Sequence, residues 1–259
     1  MRTLLIDGDI VAHKVAAAVE VPIYWGDDLW TLHADASMAK EAVDAHIAGL
    51  MKTLEADAVV LCFTPPGPTF RNTIYPEYKA KRAAKRKPTI LPVLREYLQE
   101  HYTSFTFPQL EGDDVLGILM TSDNILSGDK IIVSIDKDML TVPGKIYRPD
   151  CPEQGITEVS PSAADLQHMY QTLVGDVTDG YPGCPGVGPV AARKLLADAF
   201  ACPDSCTYSE MWPIVVRAYE SKGLREEDAI LNARMARILR AGEYDMTTHE
   251  VKLWHPRLL

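Results

Sequence analysis

Apolar and β-branched residues concentrate in four short runs, at 3–6, 58–63, 104–107 and 130–135. The stretches between them are long enough to hold helices, so the pattern predicts strand and helix in alternation. That alternation implies a parallel sheet covered by helices, an α/β fold. Helical periodicity is strongest at 37–54, 113–126, 190–200 and 226–240, the last carrying Ile230, Leu231, Met235, Ile238 and Leu239 along one face. Proline and glycine mark loops at 65–68 and 174–189. No internal repeat or low-complexity segment is visible. Near residue 160 the character changes to helices and turns only, which divides the expectation into a sheet domain at 1–160 and a helical subdomain at 161–259.

With 259 residues and 47% hydrophobic content the chain can bury a full core without disulfide support. No run approaches the roughly 18 apolar residues of a membrane span, and Asp7 and Asp9 interrupt the apolar amino terminus, so a soluble cytoplasmic protein is expected. The five cysteines form no Cys-x-x-Cys pair and read as reduced thiols rather than zinc ligands.

A net charge of −10 argues against a nucleic-acid partner until its distribution is followed. Arg71, Lys79, Lys81, Arg82, Lys85, Arg86, Lys87 and Arg95 make one basic block, opposed only by Glu77 and Glu96. The acids gather elsewhere, beside apolar runs. Asp7 follows Leu4-Leu5-Ile6 and Asp136 follows the run ending at Ile135, which puts both at the carboxyl ends of predicted strands, where open parallel sheets build their sites. Asp138 lies two residues further on. Glu111, Asp113 and Asp114 open a predicted helix, where a single acid would ordinarily be a cap. Three acids in four positions would repel one another, and a divalent ion relieves that. Asp176 and Asp179 add a pair in the turn-rich segment, with a pair of turn-forming aspartates as the plainer alternative. Eight carboxylates suit two hard cations, and two ions about 4 Å apart can drive phosphodiester hydrolysis.

Gly183, Gly186 and Gly188, followed by a small-residue helix bearing Arg193 and Lys194, have the look of the hairpin and second helix of a helix-hairpin-helix motif. Glycines allow close approach of backbone to phosphate, and amides at a helix start point at it. An ordinary Gly-Pro turn is the alternative.

Five segments together resemble the phage 5′→3′ exonucleases of the flap-endonuclease superfamily: 5–9 (LIDGD), 76–82 (PEYKAKR), 110–115 (LEGDDV), 135–138 (IDKD) and 175–181 (GDVTDGY). The stretch 235–240 (MARILR), with Tyr244, Leu253 and Trp254, is similar to the branch found in short-tailed phages. The resemblance implies a PIN-like nuclease fold and Mg2+ ions, replaceable by Mn2+, on Asp7, Glu111, Asp113, Asp114, Asp136, Asp138, Asp176 and Asp179, with Asp136 central to catalysis. It implies that Lys79 and Lys14 contact the scissile phosphate. Residues 71–100 would form an arch whose Lys81, Arg82, Lys85 and Arg86 touch DNA, and K+ would sit at the hairpin. It further implies a monomer acting on duplex 5′ ends, flaps and RNA–DNA hybrids in the cytoplasm of a phage host.

Two departures stand out. The aspartate usual after the second strand is replaced by Thr64-Pro65-Pro66-Gly67, so one metal position is expected to be weaker, or filled through water or by Asp9. The lysine usual before the Asp176 position is absent, with Gln171 nearby. Two other functions compete: a haloacid-dehalogenase-type phosphatase with Asp7 as nucleophile, and a DNA-end-binding protein impaired in catalysis. Phe70, Tyr75 and Tyr78 could stack on bases, although packing against the core is the simpler expectation.

Overall fold

A computed structural model of the chain describes residues 1–80 and 85–256. Its centre is a six-stranded sheet. β1 (Arg2–Asp7) lies between β4 (Ala58–Cys62) and β6 (Asp129–Val133), with β5 (Ser104–Phe105) outside β4 and β7 (Gly144–Tyr147) outside β6. These five run parallel, and β8 (Ile156–Val159) closes the far edge antiparallel to β7. The central strands are buried on both faces, which is why they read as unbroken apolar runs. Leu4, Ile6, Leu61, Phe63, Ile131 and Val133 face a core shared with α1 (Gly8–Ala18), α2 (Ala36–Thr53) and α4 (Leu91–His101). The alternate residues Leu5, Val60, Cys62 and Ile132 face α5 (Gly112–Thr121) and the carboxy-terminal Ile238, Leu239 and Tyr244.

Every element after β8 is helical: α6 (Pro161–Val174), α7 (Pro189–Leu195), α8 (Ala197–Ala201), α9 (Tyr208–Glu220) and α10 (Glu226–Ala236). They share a separate core around Leu166, Met169, Trp212, Tyr219 and Trp254. β2 (Val21–Tyr24) and β3 (Trp30–His33) form a two-stranded ribbon of their own, and α3 (Phe70–Ile74) precedes the basic block.

The pattern of the sequence overran three helices. α5 stops at Thr121 instead of 126 because Thr121 Oγ1 turns back to the Gly117 carbonyl, while the buried Lys130 ammonium takes the carbonyls of Leu119, Ser122 and Leu126. The helix expected over 190–200 breaks at Leu196 into α7 and α8. α10 ends at Ala236, where Arg237 turns extended and the Arg71 guanidinium donates to the Met235 and Arg237 carbonyls. Ile238 and Leu239 therefore pack beneath the sheet rather than along a helix face.

Candidate active site

Four chain segments bring acids to the carboxyl edge of the sheet. Asp7 ends β1 and caps α1, its Oδ1 accepting from Ile10 N at 2.9 Å. The turn into α1 is close: a Cβ at Gly8 would lie 2.5 Å from the Phe63 ring, so only glycine fits. Beside it, α5 opens with Glu111 at its cap and Asp113 and Asp114 in its first turn. Beyond β6, Asp136 caps the 3-10 helix Lys137–Thr141, which carries Asp138. Asp176 and Asp179 occupy the tight turn after α6, closed by an antiparallel bridge between Asp176 and Tyr181.

Asp7, Asp9, Glu111, Asp113 and Asp136 line one recess of about 240 Å3 together with Thr64 and Lys79. A narrow crevice continues from Asp113 and Asp136 to Asp138 and Asp179, so these acids form one trough; Asp176 does not line it and bears on it through its charge beside Asp138. Burial, reinforced by Asp9 and Asp136, pushes the Asp7 carboxyl up to about 7. Burial and then the charges of Asp7 and Asp136 push Asp113 well above the carboxylate range, and its Oδ1 is buried without a hydrogen-bond partner. Asp138 is likewise pushed to about 7 by burial and by Asp136 and Asp176. Gln171 donates to Asp138 Oδ1 and brings no charge to offset it.

Cations and hydroxyls hold the remainder. Lys79 Nζ donates to Glu111 Oε1 and lies 3.6 Å from Asp179 Oδ2. Burial opposes its charge, but Glu111, Asp179 and Asp113 outweigh that and hold its pKa above the ordinary lysine range. Tyr78 OH bridges Glu111 (2.7 Å) and Asp179 (3.1 Å). Among the described residues no three His, Cys, Asp or Glu groups stand at ligand spacing around one point. The trough offers donors at its walls rather than a closed cage.

Residues 2–158 match the family model for the N-terminal resolvase-like domain of 5′-3′ exonucleases. The chain belongs to the 5′→3′ exonuclease family. It is 29% identical to the exonuclease of Escherichia phage T7 across 98% of this chain and 93% of that protein. The fold is that of a phage T5 5′-exonuclease solved with divalent metal ions (zinc), at a TM-score of 0.63 and 15% identity over 91% of this chain and 89% of that one. A phage T5 flap endonuclease solved with DNA and metal ions superposes at 0.61, with 14% identity over 91% and 89%. The mostly parallel, helix-flanked sheet is thus the PIN-like fold expected from the sequence, and family membership sets the phosphatase alternative aside.

Within this exonuclease several expected residues take other places. Asp114 is fully buried, and both of its oxygens are committed. Oδ1 accepts from Arg71 Nη2 (2.8 Å) and Leu239 N (3.2 Å), and Oδ2 from Arg71 Nη1 (2.6 Å) and Glu111 N (3.1 Å). It thus anchors the start of α5 to Arg71 and to the carboxy-terminal segment at Leu239. Arg71, assigned to the basic block, is correspondingly a core residue and also reaches Glu111 Oε2 at 3.1 Å. Asp9, expected to fill a metal position, lies in the first turn of α1, because the chain coils into that helix at Gly8. Its Oδ1 meets Arg95 Nε at 2.9 Å and its Oδ2 accepts from Thr64 N at 2.8 Å, while Arg95 Nη2 also takes the Thr64 carbonyl. This clasp occupies the wall beside Thr64, where the resemblance had led to the expectation of an aspartate. Arg95, counted in the basic block, is thus a wall residue on α4, beside its buried stripe Leu91, Leu94 and Leu98.

Lys14 is exposed on α1 and does not line the recess; its charge, after burial, helps to lower the pKa of His46 on α2. Lys81 and Arg82 lie outside the described residues. Arg86 is spent on Glu20, with contacts of 3.0 and 2.5 Å, whereas Lys85 is exposed. Phe70 and Tyr78 are buried. Gly183 packs inward: its amide donates to Asn232 Oδ1, and a Cβ there would strike Gly175 N at 2.4 Å. Gly186 and Gly188 are exposed, as are Lys194 and Arg193, the latter over the Tyr170 and Phe200 rings at 5.6 and 4.9 Å.

Proposed function

We propose that the trough hydrolyses phosphodiester bonds from the 5′ ends of DNA, 5′→3′, with two divalent cations held by Asp7, Glu111, Asp113, Asp136, Asp138, Asp176 and Asp179. The observation that carries this reading is the buried, unpartnered Oδ1 of Asp113 among acids whose protons are retained by burial and then by mutual repulsion. An all-oxygen donor set of that charge fits hard cations, Mg2+ foremost, with Mn2+ as a substitute. Such ions lower the pKa of a bound water and stabilise the leaving oxygen.

The chain's own groups do the rest. Asp136 stands between the two ends of the trough and faces both. Lys79, charged and half-buried beside Glu111, offers an ammonium to the scissile phosphate as negative charge develops there. Tyr78 and the Arg71–Asp114 pair fix Glu111, and the Asp9–Arg95–Thr64 clasp fixes the opposite wall. The DNA bound to the T5 flap endonuclease supports DNA as the partner. Duplex 5′ ends, flaps and RNA–DNA hybrids are the substrates proposed for a monomer acting in the host cell. Residues 1–160 would carry the chemistry. Residues 161–259 would grip the duplex through Gly186, Gly188, Arg193 and Lys194, with K+ at the hairpin, while Lys81, Arg82 and Lys85 contact the strand entering the site.

Duplex labelled at the 5′ end or at the 3′ end, incubated with the protein and Mg2+, tests this. Early release of the 5′ label as short product, suppressed by chelation, is expected. Early release of the 3′ label, or cleavage that survives chelation, would overturn it.

A further inference from the structure

Asp138 lies between two groups of acids. It follows Asp136 by two residues, lines the narrow crevice with Asp179, and feels the charges of Asp136, Asp176 and Asp179. No cation pairs with it among the described residues, and Lys137 bears on it only from solvent. A carboxylate in this place binds a hard cation only if one of its oxygens is turned to the ion.

One side chain turns it. Gln171, in the last turn of α6 and 5% exposed, donates from Nε2 to Asp138 Oδ1. The other end of the same amide, Oε1, is buried without a hydrogen-bond partner. An orphaned buried carbonyl costs folding free energy, which an apolar side chain at the same position would not incur. Gln171 is therefore accounted for by what it gives to Asp138 and not by its packing. The donor is also neutral. An ammonium there would hold Asp138 as firmly, but its charge would oppose the arrival of a cation, whereas the amide fixes the carboxylate and leaves its charge whole. We propose that Gln171 is a positioning residue for metal, committing Asp138 Oδ1 so that Oδ2 is left to a cation shared with Asp176 and Asp179. This rests on the reading of the trough as a metal site and deepens it.

Gln171→Met tests it, because methionine keeps the length of the side chain and removes both the donor and the orphaned carbonyl. Gln171→Leu is the second variant. Mn2+ binding is read from the free-ion electron paramagnetic resonance signal with no DNA present, and melting is followed in EDTA. Both variants should bind Mn2+ at one site about 10- to 100-fold more weakly than wild type, the usual effect of losing a partner that orients a ligating group. Gln171→Met should melt no lower than wild type. The Mg2+ midpoint for cleavage of 5′-labelled duplex should rise by the same factor. Equal Mn2+ affinity in wild type and both variants would overturn the proposal. So would a lower melting temperature with unchanged Mn2+ affinity, since Gln171 would then serve packing alone. A wild type that binds no Mn2+ would instead overturn the metal reading of the trough, a result distinct from either.

Discussion

Replacing Arg71 by methionine removes the cation from a carboxylate with no route to solvent. Asp114 is 0% exposed and Arg71 2%, and the guanidinium grips Asp114 through two nitrogens at 2.6 and 2.8 Å. Breaking one side of such a buried pair costs about 3–5 kcal/mol, because the remaining charge is left uncompensated. The Met235 and Arg237 carbonyls lose their donor in the same step, which places Arg71→Met at the upper end. That is a large share of the roughly 5–15 kcal/mol that holds a folded domain, and it should lower the melting temperature by about 10 °C. Chemical denaturation gives the free energy directly. Arg71→Met/Asp114→Leu should recover more than half of the loss, since a buried pair exchanged for apolar groups is close to neutral. Arg71→Lys should fall between, because a single ammonium cannot span both oxygens. A loss below about 1 kcal/mol in Arg71→Met would refute the reasoning and return Asp114 to the metal ligands.

Three further outcomes follow from the same geometry. Asp7 and Asp138 bind protons more tightly folded (about 7) than unfolded, so they contribute stability in acid that disappears as pH rises toward 7. Without metal the melting temperature should fall between about pH 4 and 7.5, and Mg2+ should raise it more at pH 8 than at pH 5; a flat profile would contradict this. Lys79→Ala should slow single-turnover cleavage about 100-fold at saturating DNA, whereas a change in affinity alone would move Lys79 out of the chemistry. Gly183→Ala should destabilise the fold by roughly 1–3 kcal/mol through its left-handed backbone and its contact with Gly175, while Gly188→Ser, in open space, should leave melting unchanged and weaken DNA binding. Equal melting of the two glycine variants would put Gly183 back at the DNA surface.

The strands and their acids were legible because parallel strands buried on both faces are continuous in sequence, and Asp7 and Asp136 sit where such strands end. What was not legible depends on distant contacts. Nothing local stops α10 at Ala236: the carbonyls that end it are taken by Arg71, 164 and 166 residues away. Three acids in Glu111–Asp114 look equivalent as a string. Helix geometry separates them, since Asp114 at the third position turns back to the cap amide and into the core while Asp113 faces the trough. Asp9 is turned to the Arg95 and Thr64 wall because the chain coils into α1 at Gly8. The β2–β3 ribbon gave no strand signal because its aromatic residues are not buried on either face.

The central claim is that the trough cleaves because its acids hold metal, and Asp113→Asn tests it most directly. The substitution keeps the shape and removes one charge from the buried, unpartnered position. Single-turnover cleavage of 5′-labelled duplex, at DNA concentrations that saturate binding in EDTA, should fall by at least 100-fold, with DNA affinity unchanged and recovery absent at any Mg2+ concentration. Cleavage by Asp113→Asn at the wild-type rate and the wild-type Mg2+ midpoint would contradict the account.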